Sequence, residues 1–271
     1  HLMQSAFARA AASYNEAAVL ARETGRRLAE RLDWVKLTPV CMADMGCATG
    51  DGIRELIRRY PAALPLAVDY AWPMLLATRA HSPWLERLRR KGPRLMNADL
   101  RQLPLAGDCL DLVWSNLVLH WLDEPLVAFR ELHRVLRPGG LLTFAALGPD
   151  TLKELRQAGA TGLRTFADMH DLGDQLLAAG FAEPVMDMEM ITLAYGRPRQ
   201  LLADQRHLGV RDGLFGRMGW RQWRQVFRRW QAQAGADGRL PVSFEIVFGH
   251  AWKAEPATAG DGRAIVRFQK R

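Results

Sequence analysis

Four polar residues, Asp44, Asp69, Asp99 and Asn116, close or follow short apolar runs in "PVCMADMG", "LPLAVDY", "RLMNADL" and "LDLVWSN". Asp69 lies about 20 residues past a glycine cluster, the spacing at which a carboxylate accepts both hydroxyls of a ribose. Asp99 is placed to accept a hydrogen bond from an exocyclic amine, and Ser115 and Asn116 would meet the ligand's reactive end. Behind Asp44 come Gly46, Gly50 and Gly52. Glycine permits positive φ and close backbone approach, and the helix that follows offers free N–H groups. The patterns G-x-G-x-x-G and G-x-x-x-x-G-K-[ST] are both absent, which disfavours a nicotinamide loop and a phosphate loop. Each aspartate alone also suits a helix cap or turn. Their ordered recurrence carries the signal.

These residues need elements to position them. From about 40 to 147 apolar runs alternate with helical patterns, and "PLVAFRELHRVLRPGG" repeats Leu126, Phe129, Leu132, Val135 and Leu136 before stopping at Pro138-Gly139-Gly140. Such alternation predicts a parallel sheet with right-handed crossovers and helices on both faces, with ligands beyond the carboxyl ends of the strands. A helical segment precedes residue 40. After 148 come the helical runs "PDTLKELRQAG", "DMHDLGDQLLAAGF", "RPRQLLADQRHLG" and "GWRQWRQVFRRWQAQ", with strands "PVMDMEMITLAY" and "LPVSFEIVFGHAWKA". We divide the chain into an N-terminal helical cap at 1–39, one elaborated domain at 40–253 with helices at about 195–235, and a tail at 254–271.

The 271 residues, 49% of them apolar, are ample for a core. No apolar run is long enough for a membrane span or the core of a signal peptide, so a cytoplasmic protein with no membrane partner is expected. Cys41, Cys47 and Cys109 show neither CxxC spacing nor neighbouring histidines, which argues against disulfides and a metal site. The formal charge of +8 favours an acidic partner without naming its class.

The order of elements over about 40–147 resembles the class I S-adenosylmethionine-dependent methyltransferases. "DMGCATGDG" is similar to their D-x-G-x-G-x-G turn at Asp44, Gly46 and Gly50, with Ala48 where a middle glycine is usual. That resemblance implies a Rossmann-like α/β fold, with a mostly parallel seven-stranded sheet, helices on both faces and an N-terminal helical extension. It also implies S-adenosyl-L-methionine as cofactor, with Asp44, Gly46, Cys47, Gly50, Asp69, Tyr70, Asp99, Leu100 and Asn116 as its site. More narrowly, "FARAAASYNEAA", "WSNLVLHWLDEP" and "ELHRVLRPGGLLTFAALGPDTLKELR" resemble the malonyl-acyl carrier protein O-methyltransferases of biotin synthesis. A related branch, the methyltransferase-like factors of respiratory complex I assembly, shares the "LHW" and "DTLxELR" features.

The resemblance implies a malonyl group on acidic acyl carrier protein as substrate and partner, rather than nucleic acid. Its carboxylate is already an anion at neutral pH, so no dedicated base is needed. Arg156, or secondarily Arg9, is the expected fork for that carboxylate, and Tyr14 the expected closing or hydrogen-bonding residue. His120 is the candidate base for a different nucleophile. In "GWRQWRQVFRRWQ" the helical period sets Trp220, Trp223, Phe227 and Trp230 inward and Arg221, Arg224 and Arg228 outward, a basic face suited to a carrier protein. Methylation of a nucleic acid or small molecule is a second reading, although "SNLV" stands where many amino-methylating enzymes carry Asn-Pro-Pro-Tyr.

Overall fold

The computed structural model describes residues 2–81, 92–216 and 218–255. The second half of the helical run predicted after Tyr70, and the tail from 256, lie outside the described residues.

Seven strands, β1 (Cys41–Met45), β2 (Leu64–Asp69), β3 (Arg94–Asn97), β4 (Leu110–Asn116), β5 (Leu136–Leu147), β6 (Phe181–Tyr195) and β7 (Leu240–Lys253), form one sheet. Their order is β3-β2-β1-β4-β5-β7-β6. The first five run parallel, and β7 pairs antiparallel with both β5 and β6. Successive residues feed opposite faces, as the pleat requires. Met42, Trp114 and Phe248 enter one core cluster, while Ala43, Val113 and Val247 enter the other. Since β1 leads outward to β2 and β3 before the chain returns to β4, the strand order reverses at β1 and β4. A crevice therefore opens beyond their carboxyl ends.

The predicted N-terminal helix is broken into α1 (Leu2–Ala10), α2 (Tyr14–Ala17) and α3 (Val19–Arg31). The break sends Phe7, Ala10 and Tyr14 against Ala71 and Met74, while Leu20, Leu28 and Ala29 join the sheet core. One straight helix could not reach both surfaces. Arg31 fastens α3 to β6 by donating to Asp187 Oδ2 at 2.5 Å and Glu189 Oε1 at 2.6 Å.

Helices α4 (Asp51–Arg59), α5 (Trp72–His81) and α6 (Pro125–Val135) make the crossovers. Helix α6 ends at Val135 rather than at Pro138, because Leu136 already pairs with Leu110 across an irregularity in β4. Beyond β5 follow α7 (Lys153–Gln157), α8 (Met169–Ala178), α9 (Pro198–His207), α10 (Arg211–Phe215) and α11 (Trp220–Gln231). Helix α7 is shorter than its sequence pattern, since Leu152 has φ +63° and interrupts the run. In α11, Trp230 is fully buried and its indole donates to the Pro241 carbonyl at 3.0 Å. Trp220 departs from the inward position expected of it and is 68% exposed, because core contacts of this helix begin only at Trp223.

Candidate functional site

The main cavity, about 490 Å³, lies in the crevice at β1, β2 and β4 and falls within the size range of small-ligand sites. Of the residues singled out by sequence, Tyr14, Gly46, Asp69, Tyr70, Asp99, Leu100 and Asn116 line it. Asp44, Cys47 and Gly50 do not. They stand behind the turn, with Cys47 buried against Thr78 and Gly50 forming the left-handed start of α4. Met3, Phe7, Arg101 and Asp123 also line the wall, though the sequence does not mark them as site residues. Phe7 lay in a quoted motif, but the folding of α1 back over the crevice leaves no local periodic signal.

The turn after β1 is shaped by contact as well as by φ. Gly46 has φ +82°, and a methyl group built there would overlap Val118. Gly50 has φ +90°, and its methyl would come within 2.7 Å of the Thr78 side chain. Ala48, standing where a glycine is usual, adopts φ +45° and lines the cavity. Its N–H donates to Asp69 Oδ2 at 3.0 Å, and its carbonyl accepts from the Thr78 hydroxyl at 2.8 Å. These bonds hold a conformation that an alanine does not favour on its own. We expect Gly46→Ala to cost about 1–3 kcal/mol of stability and to weaken binding of S-adenosylhomocysteine, checked by thermal melting and calorimetry.

Asp69 also accepts the Ala71 N–H at 2.8 Å, so the carboxylate clasps the ends of both β-turns around the cavity. Burial pushes its pKa up to about 6, against the opposing pull of these backbone donors. Asp99 instead lies in a bidentate pair with Arg101, whose Nη2 approaches Oδ2 to 2.6 Å, and that hydrogen bonding lowers its pKa. Asn116 donates to the Ala21 carbonyl at 2.8 Å, while its buried Oδ1 has no partner among the described residues. Asn116 and Gly46 both line the cavity, on the side where β1 and β4 end. Ser115 is removed from this chemistry, because its hydroxyl donates to the Met45 carbonyl beneath the sheet edge.

Two further cavities adjoin the first. An outer one of about 520 Å³ is lined by His120, Asp123, Arg164 and Gln175, among others. A small inner one of about 70 Å³ shares Phe7, Tyr14, Leu117 and Trp121 with the main cavity. Leu117 has φ +56°, a strained conformation for a leucine, at the junction of the two. His120 is absent from the main cavity wall. Its Nδ1 accepts the Leu147 N–H at 3.2 Å, and burial, then Arg164, depress its pKa to about 3. A ring so held is neutral and a weak base, which corrects the expectation of His120 as a general base. Burial and then Asp69, Asp51 and Asp44 push the Tyr14 hydroxyl well above its ordinary range, so it remains a phenol.

Arg156 also departs from its expected role. Its guanidinium donates to the carbonyls of Pro149 and Arg164, each at 3.0 Å, and to that of Thr151. It lines none of the three cavities. The "GPDTLKELR" run is instead a clasp onto β7. Glu154 accepts both the Ser243 N–H at 2.9 Å and its hydroxyl at 2.5 Å, and Glu245 accepts the Asp150 N–H at 2.7 Å. Arg9 is exposed on α1.

This doubly wound sheet, with a glycine turn and an acidic second-strand end around a nucleoside-sized cavity, defines a class I S-adenosylmethionine-dependent methyltransferase. Residues 43–144 match the family model described as a methyltransferase domain. The YcgJ protein of Bacillus subtilis shares the fold with a TM-score of 0.61 at 12% identity, covering 86% of this chain and 99% of that one. The malonyl-acyl carrier protein O-methyltransferase of Gallionella capsiferriformans is 45% identical over 98% of this chain and 94% of its own. That of Laribacter hongkongensis is 46% identical over the same shares. The chain belongs to the malonyl-acyl carrier protein O-methyltransferase family. Among the described residues no helix is long and apolar enough to cross a membrane.

Proposed function

We propose that this chain methylates the free carboxylate of a malonyl thioester carried on acyl carrier protein, in the synthesis of a biotin precursor. The observation that carries the reading is the identity of 45–46% to enzymes of that name along almost the whole chain. We assign Asp69 to the ribose hydroxyls, Tyr70, Asp99 and Leu100 to the adenine end, and Gly46 and Asn116 to the methionine end. Asp44, Cys47 and Gly50 support the turn from behind.

When bound, S-adenosylmethionine supplies an electrophilic methyl carbon on a sulfonium. The residues around it orient the acceptor, exclude water and move no proton, because the malonyl carboxylate is ionised at neutral pH. Enforced alignment of this kind can lower a barrier by about 7–11 kcal/mol. Incubation with malonyl-carrier protein and labelled S-adenosylmethionine should yield a base-labile methyl ester, and the gene should rescue a biotin auxotroph. No ester would sink the reading, and failed rescue with tight cofactor binding would favour an assembly role.

The partner surface we propose is the outward face of α11, where Arg221, Arg224 and Arg228 are all exposed. Reversing the three charges to glutamate should raise KM for malonyl-carrier protein at low salt by at least about tenfold, with kcat much less affected. Equal KM values for the variant and the wild type would remove α11 from the docking face.

A further inference from the structure

The inner cavity is walled mainly by Leu20, Leu117, Leu193, Val210, Leu214 and Phe244, yet Tyr14, His120 and Gln205 also line it. Gln205, on α9, is only 4% exposed and lines this cavity. His120 is 9% exposed. With Nδ1 accepting from Leu147, the neutral ring carries its hydrogen on Nε2. A fourth polar residue on this wall, Tyr195, is already engaged with Asp204.

Polar side chains on an otherwise apolar cavity wall orient what binds there, so Tyr14, His120 and Gln205 together point to a ligand that accepts hydrogen bonds. The cavity adjoins the methionine end of the main site through Leu117, which follows Asn116 directly and lines both. Its volume of about 70 Å³ admits the end of a short acyl group and little more. Resting on the function proposed above, we propose that Tyr14, His120 and Gln205 form a neutral donor pocket for the acceptor's carboxylate, with Gln205 selecting a free carboxylate over an ester or amide.

The absence of a cation from this set follows from the charge balance of the reaction. A carboxylate lone pair forms the new C–O bond to the methyl carbon as the C–S bond breaks, and the bonding pair stays on sulfur. A cation and an anion thus become a neutral ester and a neutral thioether. Both charges shrink toward the transition state, so a fixed cation beside the carboxylate would stabilise the ground state more than the transition state. Neutral donors in apolar walls orient the anion without that handicap, and they hold the uncharged ester less firmly once it has formed. Arg164 lines the outer cavity, where its Nη2 donates to the Trp121 carbonyl at 3.2 Å and to Asp123 Oδ1 at 3.3 Å. The low pKa of His120 keeps its ring uncharged through the working range.

The test compares full-length wild type with Gln205→Leu and Gln205→Glu, using malonyl-carrier protein and S-adenosylmethionine. Gln205→Leu should lower kcat/KM by roughly 10- to 100-fold, the range for one lost hydrogen bond to a charged group. Gln205→Glu should lower it further through like-charge repulsion. Affinity for S-adenosylhomocysteine should be unchanged, and the melting temperature of Gln205→Leu equal to or above that of wild type. A wild-type kcat/KM in either variant would overturn the proposal. So would a loss of activity in Gln205→Leu that tracks a fall in melting temperature or in S-adenosylhomocysteine affinity, since the amide would then be structural. If wild type itself forms no ester, the substrate reading fails and this pocket assignment falls with it.

Discussion

Asp44→Asn stabilises the ligand-free protein at about pH 8 while weakening its hold on the methyl donor. Asp44 is 2% exposed, and its Oδ2 has no partner among the described residues. Burial pushes its pKa from 3.8 to about 7, although a backbone N–H from Ile53 pulls the other way. Trp114 Nε1, close by across Gly52, is also without a partner among the described residues. The folded protein therefore binds the Asp44 proton more tightly than the unfolded chain does. This contribution is fully present below the unfolded value near pH 4 and is lost as pH rises through about 7. At its ceiling the buried charge costs about 4 kcal/mol at high pH. Denaturant melts from about pH 4 to 8 should show the asparagine variant gaining progressively over wild type, with no gain at the acid end. A gain independent of pH would refute the assignment. The same buried charge attracts a cation, so the variant should lose more affinity for S-adenosylmethionine than for neutral-sulfur S-adenosylhomocysteine.

Asp69→Ala should weaken S-adenosylhomocysteine by about 100-fold or more, read by calorimetry. The carboxylate supplies the ribose acceptors and also accepts the Ala48 and Ala71 N–H groups that fix the two turns. Losing hydrogen bonds to a charged group costs about 1.5–3 kcal/mol each, and loosened turns add to the loss. Asp69→Asn should not restore binding, because its amide nitrogen would face one of those N–H donors. In wild type the affinity should fall as pH drops through about 6, where Asp69 takes up its proton. Wild-type affinity in Asp69→Ala would remove this residue from the ribose site.

Most of the seven strands were legible in the sequence as apolar runs cut off by polar or glycine residues and β6 by its alternation, while doubly buried strands such as β4 leave no alternation to confuse with a helix. Asp69, Asp99 and Asn116 were legible for the same reason, since they follow those runs. What stayed hidden depended on contacts between segments distant in the chain. Arg156 has the composition of a ligand-binding arginine, yet the carbonyls of Pro149, Thr151 and Arg164 consume its donors. Gln205 has no motif at all, and only the fold reveals a buried amide facing an apolar void. Trp220 obeys the helical period but overhangs the core that the period presumes.

Helix α1 covers the crevice with few ties: Gln4 donates to the Tyr70 carbonyl at 2.7 Å, and the Phe7 ring meets Tyr70 and Trp121 edge-on. Phe7 belongs to the walls of both the main and the inner cavity. A displacement of α1 that carried the Phe7 ring with it would therefore reshape both compartments at once, coupling the nucleoside wall to the acyl wall through a single side chain.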